Sequence, residues 1–336
     1  MSKRILVTGY GGFLGRAICR WLLERGYRVR GVARQEYPQL AEMGVECIQG
    51  NLCDRATVGR ACQQVDGVIH TAALAGIWGP ARSYESINVD ATRLLMEESK
   101  RQGVSAFVHC SSPSVTFDGK PQSGVDESVP YPSHFLCHYP RTKAIAEKFV
   151  LDQNSPGQIL TCALRPHLIW GEGDPHLFPR VISKCRQGKL KRVGSGRNLI
   201  DTVHVDLAAL GHGLALEKLL QGDAEVAGRA FFLTDGVPVE CWEWIGQILA
   251  LEGLKPPRSS VPLPVAYAAG WMLEKIYSGL RIQKEPPMTR FVALQLGVDH
   301  YFSIESARKR LGYEPKLDRA KVLEGLRGKF GGAHEG

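Results

Sequence analysis

The sequence predicts an α/β protein: a doubly wound parallel sheet followed by a smaller C-terminal domain. Three observations predict it. An apolar run at residues 4–8 leads straight into a glycine-rich turn and an amphipathic stretch at 16–25, the order strand, turn, helix. Strand and helix signals then alternate as far as residue 165, as they do where crossover helices join parallel strands. Hydrophobic residues make up 44% of the 336, enough for one large domain or two modest ones.

The turn is Thr8-Gly-Tyr-Gly-Gly-Phe-Leu-Gly15. Gly9 permits a tight turn, Gly12 lets the main chain approach a pyrophosphate, and Gly15 lets the helix pack close to the strand. Phe13 and Leu14 open that helix, whose free N–H groups and dipole favour phosphate charge. Because the glycines directly follow the first strand, a Rossmann dinucleotide site is expected rather than a surface loop. The second strand, residues 27–33, ends in Ala33, where an NAD-specific site carries Asp or Glu. Arg34 follows. A guanidinium pairs with a 2′-phosphate that a carboxylate would repel, so NADP(H) is expected over NAD(H). The competing readings are that Arg34 is a solvated charge and that Glu36 serves the ribose. The third strand runs out at Asn51 and Leu52, and the fourth ends in Ala72 and Ala73. All of these are expected beside the cofactor, the alanines because small side chains admit close approach.

The next strand, Ala106-Phe-Val-His-Cys110, finishes in Ser111 and Ser112. Ligands of open parallel sheets sit beyond the carboxyl ends of the strands. A serine there is placed to bind a substrate oxygen, or to cap a turn. Of ten tyrosines, only Tyr139 has a lysine four residues on, Lys143. Residues 142–151 are helical in period and Pro140 suits a first turn, so the two side chains share one face. A neighbouring cation lowers a phenol pKa from its usual value of about 10. The pair is therefore expected to exchange protons near neutral pH.

With these segments, and with Ser86-Ile-Asn88-Val-Asp-Ala-Thr92 and Leu164-Arg-Pro166, the chain resembles the extended short-chain dehydrogenases/reductases over nearly its whole length. The resemblance implies roles. Tyr139 is the proton donor or acceptor, and Lys143 lowers its pKa and binds the nicotinamide ribose. Ser112 orients the substrate oxygen, Asn88 supports the relay, and the main chain of Pro166 to Leu168 meets the nicotinamide amide. A homodimer through the helices after Asn88 and Tyr139 is also implied. Nucleotide-sugar epimerases and dehydratases of this superfamily, which use bound NAD, are the alternative. They carry an arginine where this chain has Ile200. The run Arg165-Pro-His-Leu-Ile-Trp-Gly-Glu-Gly-Asp174 with Leu177-Phe-Pro179 is instead similar to the 3β-hydroxysteroid dehydrogenase group. Ala75-Gly-Ile-Trp-Gly79, Ser112-Pro-Ser-Val-Thr116, Thr142-Lys-Ala-Ile-Ala-Glu147 and Pro287-Met-Thr-Arg-Phe291 resemble the 2-alkyl-3-oxoalkanoate reductases of bacterial olefin biosynthesis. These groups imply an oxidoreductase interconverting a secondary alcohol and a ketone on a bulky lipid-like substrate. A β-keto acid would need a cation in the pocket, for which Arg197, His167 and Arg290 are candidates.

Nine cysteines occur without Cys-x-x-Cys or metal-ligand spacing. Reduced thiols of a cytoplasmic protein, and no metal, are the expectation. The N-terminus runs directly into a strand, so no signal peptide is expected. Net charge is +8, with a basic cluster at residues 184–192. Neither interleaved aromatics nor a known module accompanies it, so nucleic acid is not an expected partner. The charge favours an anionic cofactor, a carboxylate substrate or an acidic membrane surface. The most apolar stretch, residues 261–273, falls short of the roughly 20 residues of a membrane span. Three uses compete for it: lipid-pocket wall, interfacial anchor for peripheral membrane contact, and core helix. The cofactor domain is expected to take residues 1–165 with returning segments at about 196–234. The substrate domain takes 166–195 and 235–325, Asp206 caps a helix, and residues 330–336 form a disordered tail.

Overall fold

The computed structural model describes residues 2–330. The first half forms β1 (Arg4–Thr8), α1 (Phe13–Glu24), β2 (Arg28–Ala33), α2 (Pro38–Glu42), β3 (Glu46–Gln49), α3 (Arg55–Cys62), β4 (Gly67–His70), α4 (Ala81–Tyr84), α5 (Ala91–Arg101), β5 (Ala106–Cys110), β6 (Gln122–Val125), α6 (His138–Asp152) and β7 (Leu160–Pro166). The second half adds β8 (Ile169–Trp170), α7 (Leu177–Arg186), β9 (Arg192–Val193), β10 (Leu199–Ile200), β11 (Val203–His204), α8 (Val205–Leu220), β12 (Arg229–Leu233), β13 (Val239–Glu240) and α9 (Cys241–Ala250). It closes with β14 (Ser260–Val261), α10 (Leu263–Gly279), α11 (Arg290–Gly297), β15 (His300–Phe302) and α12 (Arg319–Gly325).

Seven strands build one sheet in the order β12-β7-β5-β4-β1-β2-β3, parallel throughout. Alternate residues of β1 serve opposite faces. Ile5 and Val7 pack with Ile18, Leu22 and Leu216 of α1 and α8, and Leu6 packs with Val58 and Leu95 of α3 and α5. Helices cover both faces, which is why the strand is apolar at consecutive positions. Burial of each such side chain stabilises the fold by about 1.5–3 kcal/mol. The strand order reverses between β1 and β4, and that switch point opens a crevice at the carboxyl ends. The predicted doubly wound Rossmann sheet is the fold of this chain.

A second core gathers Trp170, Phe178, Trp244, Ile245 and Ile248, with Trp170 edge-on to Trp244 at 5.0 Å. Short strands frame it as a β13-β10-β15-β6 sheet and the pairs β11-β8 and β14-β9. The expected return to the cofactor sheet is split. Residues 229–233 join it as β12, whereas β10 and β11 pair outside it. Asp206 is not the cap of α8. His204 is, its ring accepting from the Asp206 N–H at 3.3 Å, because the helix begins two residues earlier than an Asp206 cap requires, at Val205. Phe330, expected in a disordered tail, is buried and packs on Phe178 at 5.3 Å. The rest of that tail, 331–336, lies outside the described residues.

Helix α10 settles differently from a core helix. Only Ala266 and Gly270 of it are buried. Gly270 meets the start of α11 so closely that a Cβ there would lie 2.6 Å from the Thr289 carbonyl carbon. Val265, Trp271, Met272 and Ile276 are exposed. Its C-terminal half, from Glu274 to Ser278, contributes to a cavity of about 550 Å³ beside the main crevice. Among the described residues no helix is long and apolar enough to cross a membrane.

Candidate active site

The crevice over the switch point holds a cavity of about 530 Å³. Its floor is the glycine turn: Gly9, Gly12, Phe13, Leu14 and Gly15 all line it. The turn is built for close approach. Gly9 has φ +69°, a left-handed conformation that costs glycine little. A Cβ on Gly15 would lie 2.2 Å from the Gly9 carbonyl oxygen, so only glycine lets α1 start there. Gly9 and Gly12 thus leave main chain uncovered at the N-terminus of α1, which fits a dinucleotide pyrophosphate.

Ser111, Ser112, Tyr139 and Lys143 line the same cavity, as do Ala73, Pro166 and Leu168. Each arrives from a strand end or a helix start at the carboxyl edge of the sheet. Ser112 follows β5 and caps a short 3₁₀ turn, accepting from the Ser114 N–H at 3.3 Å. Its hydroxyl also meets the Ser114 hydroxyl at 2.9 Å. The Ser111 hydroxyl is buried without a partner among the described residues. Leu168 has φ +44°, a strained conformation for a branched side chain that surrounding contacts must hold.

The Tyr139–Lys143 pair departs from the expectation drawn from its spacing. Burial, with Cys110 nearby, raises the Tyr139 phenol above its ordinary pKa, while the Ser112 hydroxyl pulls it down. Among the described residues no hydrogen bond joins the Lys143 ammonium to the phenol. The ammonium donates to the Cys110 carbonyl oxygen at 2.5 Å and lies 3.4 Å from His109 Nε2. Burial lowers the Lys143 pKa, against the opposing influence of Cys110 and Glu147. Desolvation disfavours both charged forms here, and a shared helix face alone does not overcome it. The phenol therefore holds its proton more tightly than a free tyrosine does.

Asn88 does not line the cavity. It lies in a π-helical turn, Glu85–Asp90, and is buried. Its side chain accepts from the Leu74 N–H at 2.7 Å and donates to the Thr142 hydroxyl at 3.1 Å. Thr142 lies 3.1 Å from the Tyr139 carbonyl oxygen. Asn88 thereby ties the loop after β4 to the first turn of α6. The remaining predicted cofactor residues stand apart from the cavity. Ala72 donates its N–H to Thr8 at 3.3 Å. Asn51 is exposed and accepts from the Cys53 N–H, and Leu52 is half-buried against the sheet core. Arg34 is exposed directly after β2.

None of the three candidate carboxylate-binding residues stands free in the cavity. Arg290 pairs with Glu274 at 2.7 Å, and Arg197 is exposed outside it. His167 lines it, but its Nε2 meets His300 Nδ1 at 2.7 Å. His300 Nε2 donates in turn to the Gln295 carbonyl oxygen at 2.7 Å, so the shared proton belongs to His167. Burial holds His167 well below its usual pKa and His300 at about 4. Both are neutral. Sequence reasoning missed Arg180, His176 and Gln122, which also line the cavity. For Arg180 the signal was slight: it follows the Leu177-Phe-Pro179 run at the start of α7. Ile200, in the place of an epimerase arginine, is buried in the second core.

The model of the 3-beta hydroxysteroid dehydrogenase/isomerase family matches residues 6–265. The chain is 45% identical over 327 residues to a 2-alkyl-3-oxoalkanoate reductase of Shewanella oneidensis, covering 96% of this chain and 84% of that protein. It is 34% identical over 330 residues to a 3-beta-hydroxysteroid dehydrogenase of Mycolicibacterium neoaurum, covering 95% and 89%. Among solved structures, the crystal structure of gox2253 aligns with TM-score 0.77 at 29% identity, covering 96% of each chain.

Proposed function

Because the chain belongs to the 3-beta hydroxysteroid dehydrogenase/isomerase family, nicotinamide-dependent oxidoreductases acting on CH–OH, we propose that it reduces the keto group of a 2-alkyl-3-oxo acid with NADPH. One observation carries this reading. Ser112, Tyr139 and Lys143 share a cavity with the glycine cradle, and its lining includes the apolar side chains of Phe117, Leu177 and Phe291. Polar groups gathered in a cavity that also offers large apolar side chains suit a carbonyl embedded in long alkyl chains.

The glycine cradle would hold the dinucleotide, which when bound supplies the hydride. Ser112 and Tyr139 hold the carbonyl oxygen of the substrate. As negative charge develops on that oxygen, Tyr139 transfers its phenolic proton to it. Lys143, once released from the Cys110 carbonyl oxygen, would stabilise the phenolate left behind. Asn88 acts through Thr142 and Leu74 and positions the tyrosine and the loop over it. The buried Ile200 argues against a nucleotide-sugar substrate.

Finer features belong to the same proposal. Preference for NADPH rests on Arg34, exposed at the end of β2 with no carboxylate ending that strand. Peripheral membrane contact rests on the outward apolar side chains of α10, beside the exposed cations Lys275, Arg281 and Lys284. A homodimer would use the outer sides of α5 and α6, where the Arg93 guanidinium lies over the Phe149 ring at 5.6 Å. A cytoplasmic address rests on nine cysteines, all of them free. The test is a turnover screen of 2-alkyl-3-oxo acids, 3-keto sterols and UDP-sugars with each reduced cofactor. Consumption of NADPH with the oxo acids is expected. Turnover confined to a sugar nucleotide would refute the reading.

A further inference from the structure

A 2-alkyl-3-oxo acid carries a carboxylate close to the carbonyl being reduced, and an apolar cavity must meet that charge with a cation. Among the described residues lining the cavity, the lysines and arginines are Lys143 and Arg180. Lys143 is buried and engaged with the Cys110 carbonyl on the cofactor side. Of the three histidines in the wall, His167 and His300 are spent on each other, and His176 sits beside the Asp174 carboxylate, which takes its main-chain N–H at 2.8 Å. Asp174 is also in the wall. It accepts from the N–H groups of His176 at 2.8 Å, Leu177 at 3.1 Å and Phe178 at 2.8 Å. It is thus committed to the start of α7 and leaves Arg180 alone.

Arg180 already holds a carboxylate, that of Glu285. Nη1 donates to one oxygen at 3.3 Å and Nη2 to the other, a two-pronged grip of the kind guanidinium groups make on planar carboxylates. Glu285 comes from the segment between α10 and α11, which also meets α7 where Lys184 reaches the Pro287 carbonyl oxygen at 3.5 Å. The Arg180 and Glu285 side chains keep 42% and 32% of their exposure. A pair so open to water contributes little to stability, so exchanging one carboxylate for another there costs little. Nε of Arg180 adds a donor with no partner among the described residues.

We propose that Arg180 is the site that recognises the substrate carboxylate, and that Glu285 occupies it until substrate arrives. The inference rests on the oxo-acid reading above and names the group that selects acid over neutral ketone. It also sets an orientation. The carboxylate lies toward α7 at the cavity rim, and the alkyl chains lie against Phe117 and Phe291.

The stable reverse substrate, a 2-alkyl-3-hydroxy acid, and its methyl ester are compared in steady-state oxidation with NADP⁺. Arg180→Leu should raise KM for the acid about tenfold or more, as expected for loss of a charge-assisted pair. It should leave kcat and the KM of the ester nearly unchanged. Arg180→Lys should restore part of the loss. Glu285→Gln, which removes the competing carboxylate, should lower the acid KM instead. Equal changes for acid and ester in Arg180→Leu would overturn the proposal. So would a Glu285→Gln variant whose acid KM rises as in Arg180→Leu, since the pair would then be a structural latch. Arg180→Lys and Glu285→Gln keep the test decisive should Arg180→Leu fail to fold. If the wild-type protein oxidises neither the acid nor the ester, the oxo-acid reading itself fails, an outcome distinct from turnover without discrimination.

Discussion

Lys143 Nζ donates to the main-chain oxygen of Cys110 at 2.5 Å, one helical turn from the Tyr139 whose phenol it would serve. The ammonium is thus stored on the strand that ends in Ser111 and Ser112, with both serines and Tyr139 around the same cavity. Desolvation keeps the phenol protonated and makes the ammonium easier to deprotonate. The resting site thus presents a protonated phenol to the cavity.

Removing that acid gives the most direct test. Tyr139→Phe should lower kcat by about 10²-fold or more, in the range of a lost general acid. Cofactor affinity should stay within a small factor, since the glycine cradle is untouched. Fluorescence titration with NADPH alongside single-turnover kinetics checks both. Near-normal turnover in this variant would remove Tyr139 from the chemistry.

The raised phenol pKa carries a sign of its own. In the free protein the Tyr139 phenolate should form only above the ordinary tyrosine pKa of about 10. The ultraviolet phenolate difference spectrum between wild type and Tyr139→Phe reports it directly. Ser112→Ala should move that titration further up, because the Ser112 hydroxyl is the group that pulls the phenol down. A phenolate appearing near neutral pH in the free protein would contradict this geometry.

Cofactor choice is tested at the end of β2. Arg34→Ala should weaken NADPH binding about tenfold, the scale of a lost guanidinium–phosphate pair, and leave NADH nearly unaffected. Calorimetric Kd values for both cofactors in both proteins decide it. An unchanged ratio would return Arg34 to the role of a solvated charge.

The exposed side of α10 makes a prediction about surfaces. Wild-type protein should co-sediment with acidic phospholipid vesicles, less so at high salt, as screening requires. Trp271→Glu with Ile276→Glu should reduce that binding severalfold without changing the melting temperature, since neither side chain is buried. Equal sedimentation of both proteins would leave this surface without a membrane role.

Residues close in the chain were legible before the fold was seen. The turn from Gly9 to Gly15, the serines ending β5 and the four-residue spacing from Tyr139 to Lys143 are local patterns. Strand and helix geometry alone converts them into positions. Partners far apart in sequence were not legible. Arg290, a candidate cation in the sequence, is neutralised by Glu274 across a 16-residue separation. His167 is held by His300 across 133 residues. Arg180 enters the cavity only because α7 folds against the crevice, and its companion Glu285 lies 105 residues away.

The amino-acid sequence by itself determined the parallel sheet, the glycine turn and the serine and Tyr139–Lys143 segments that meet at the crevice. Each depends on backbone conformation and periodicity within a few residues. Tertiary structure alone decided where Lys143 donates, which way α10 turns its apolar side, that Arg180 lines the cavity and that Phe330 belongs to a core. Those outcomes follow from desolvation and from which charges meet, and both are set by packing between segments that no local pattern relates.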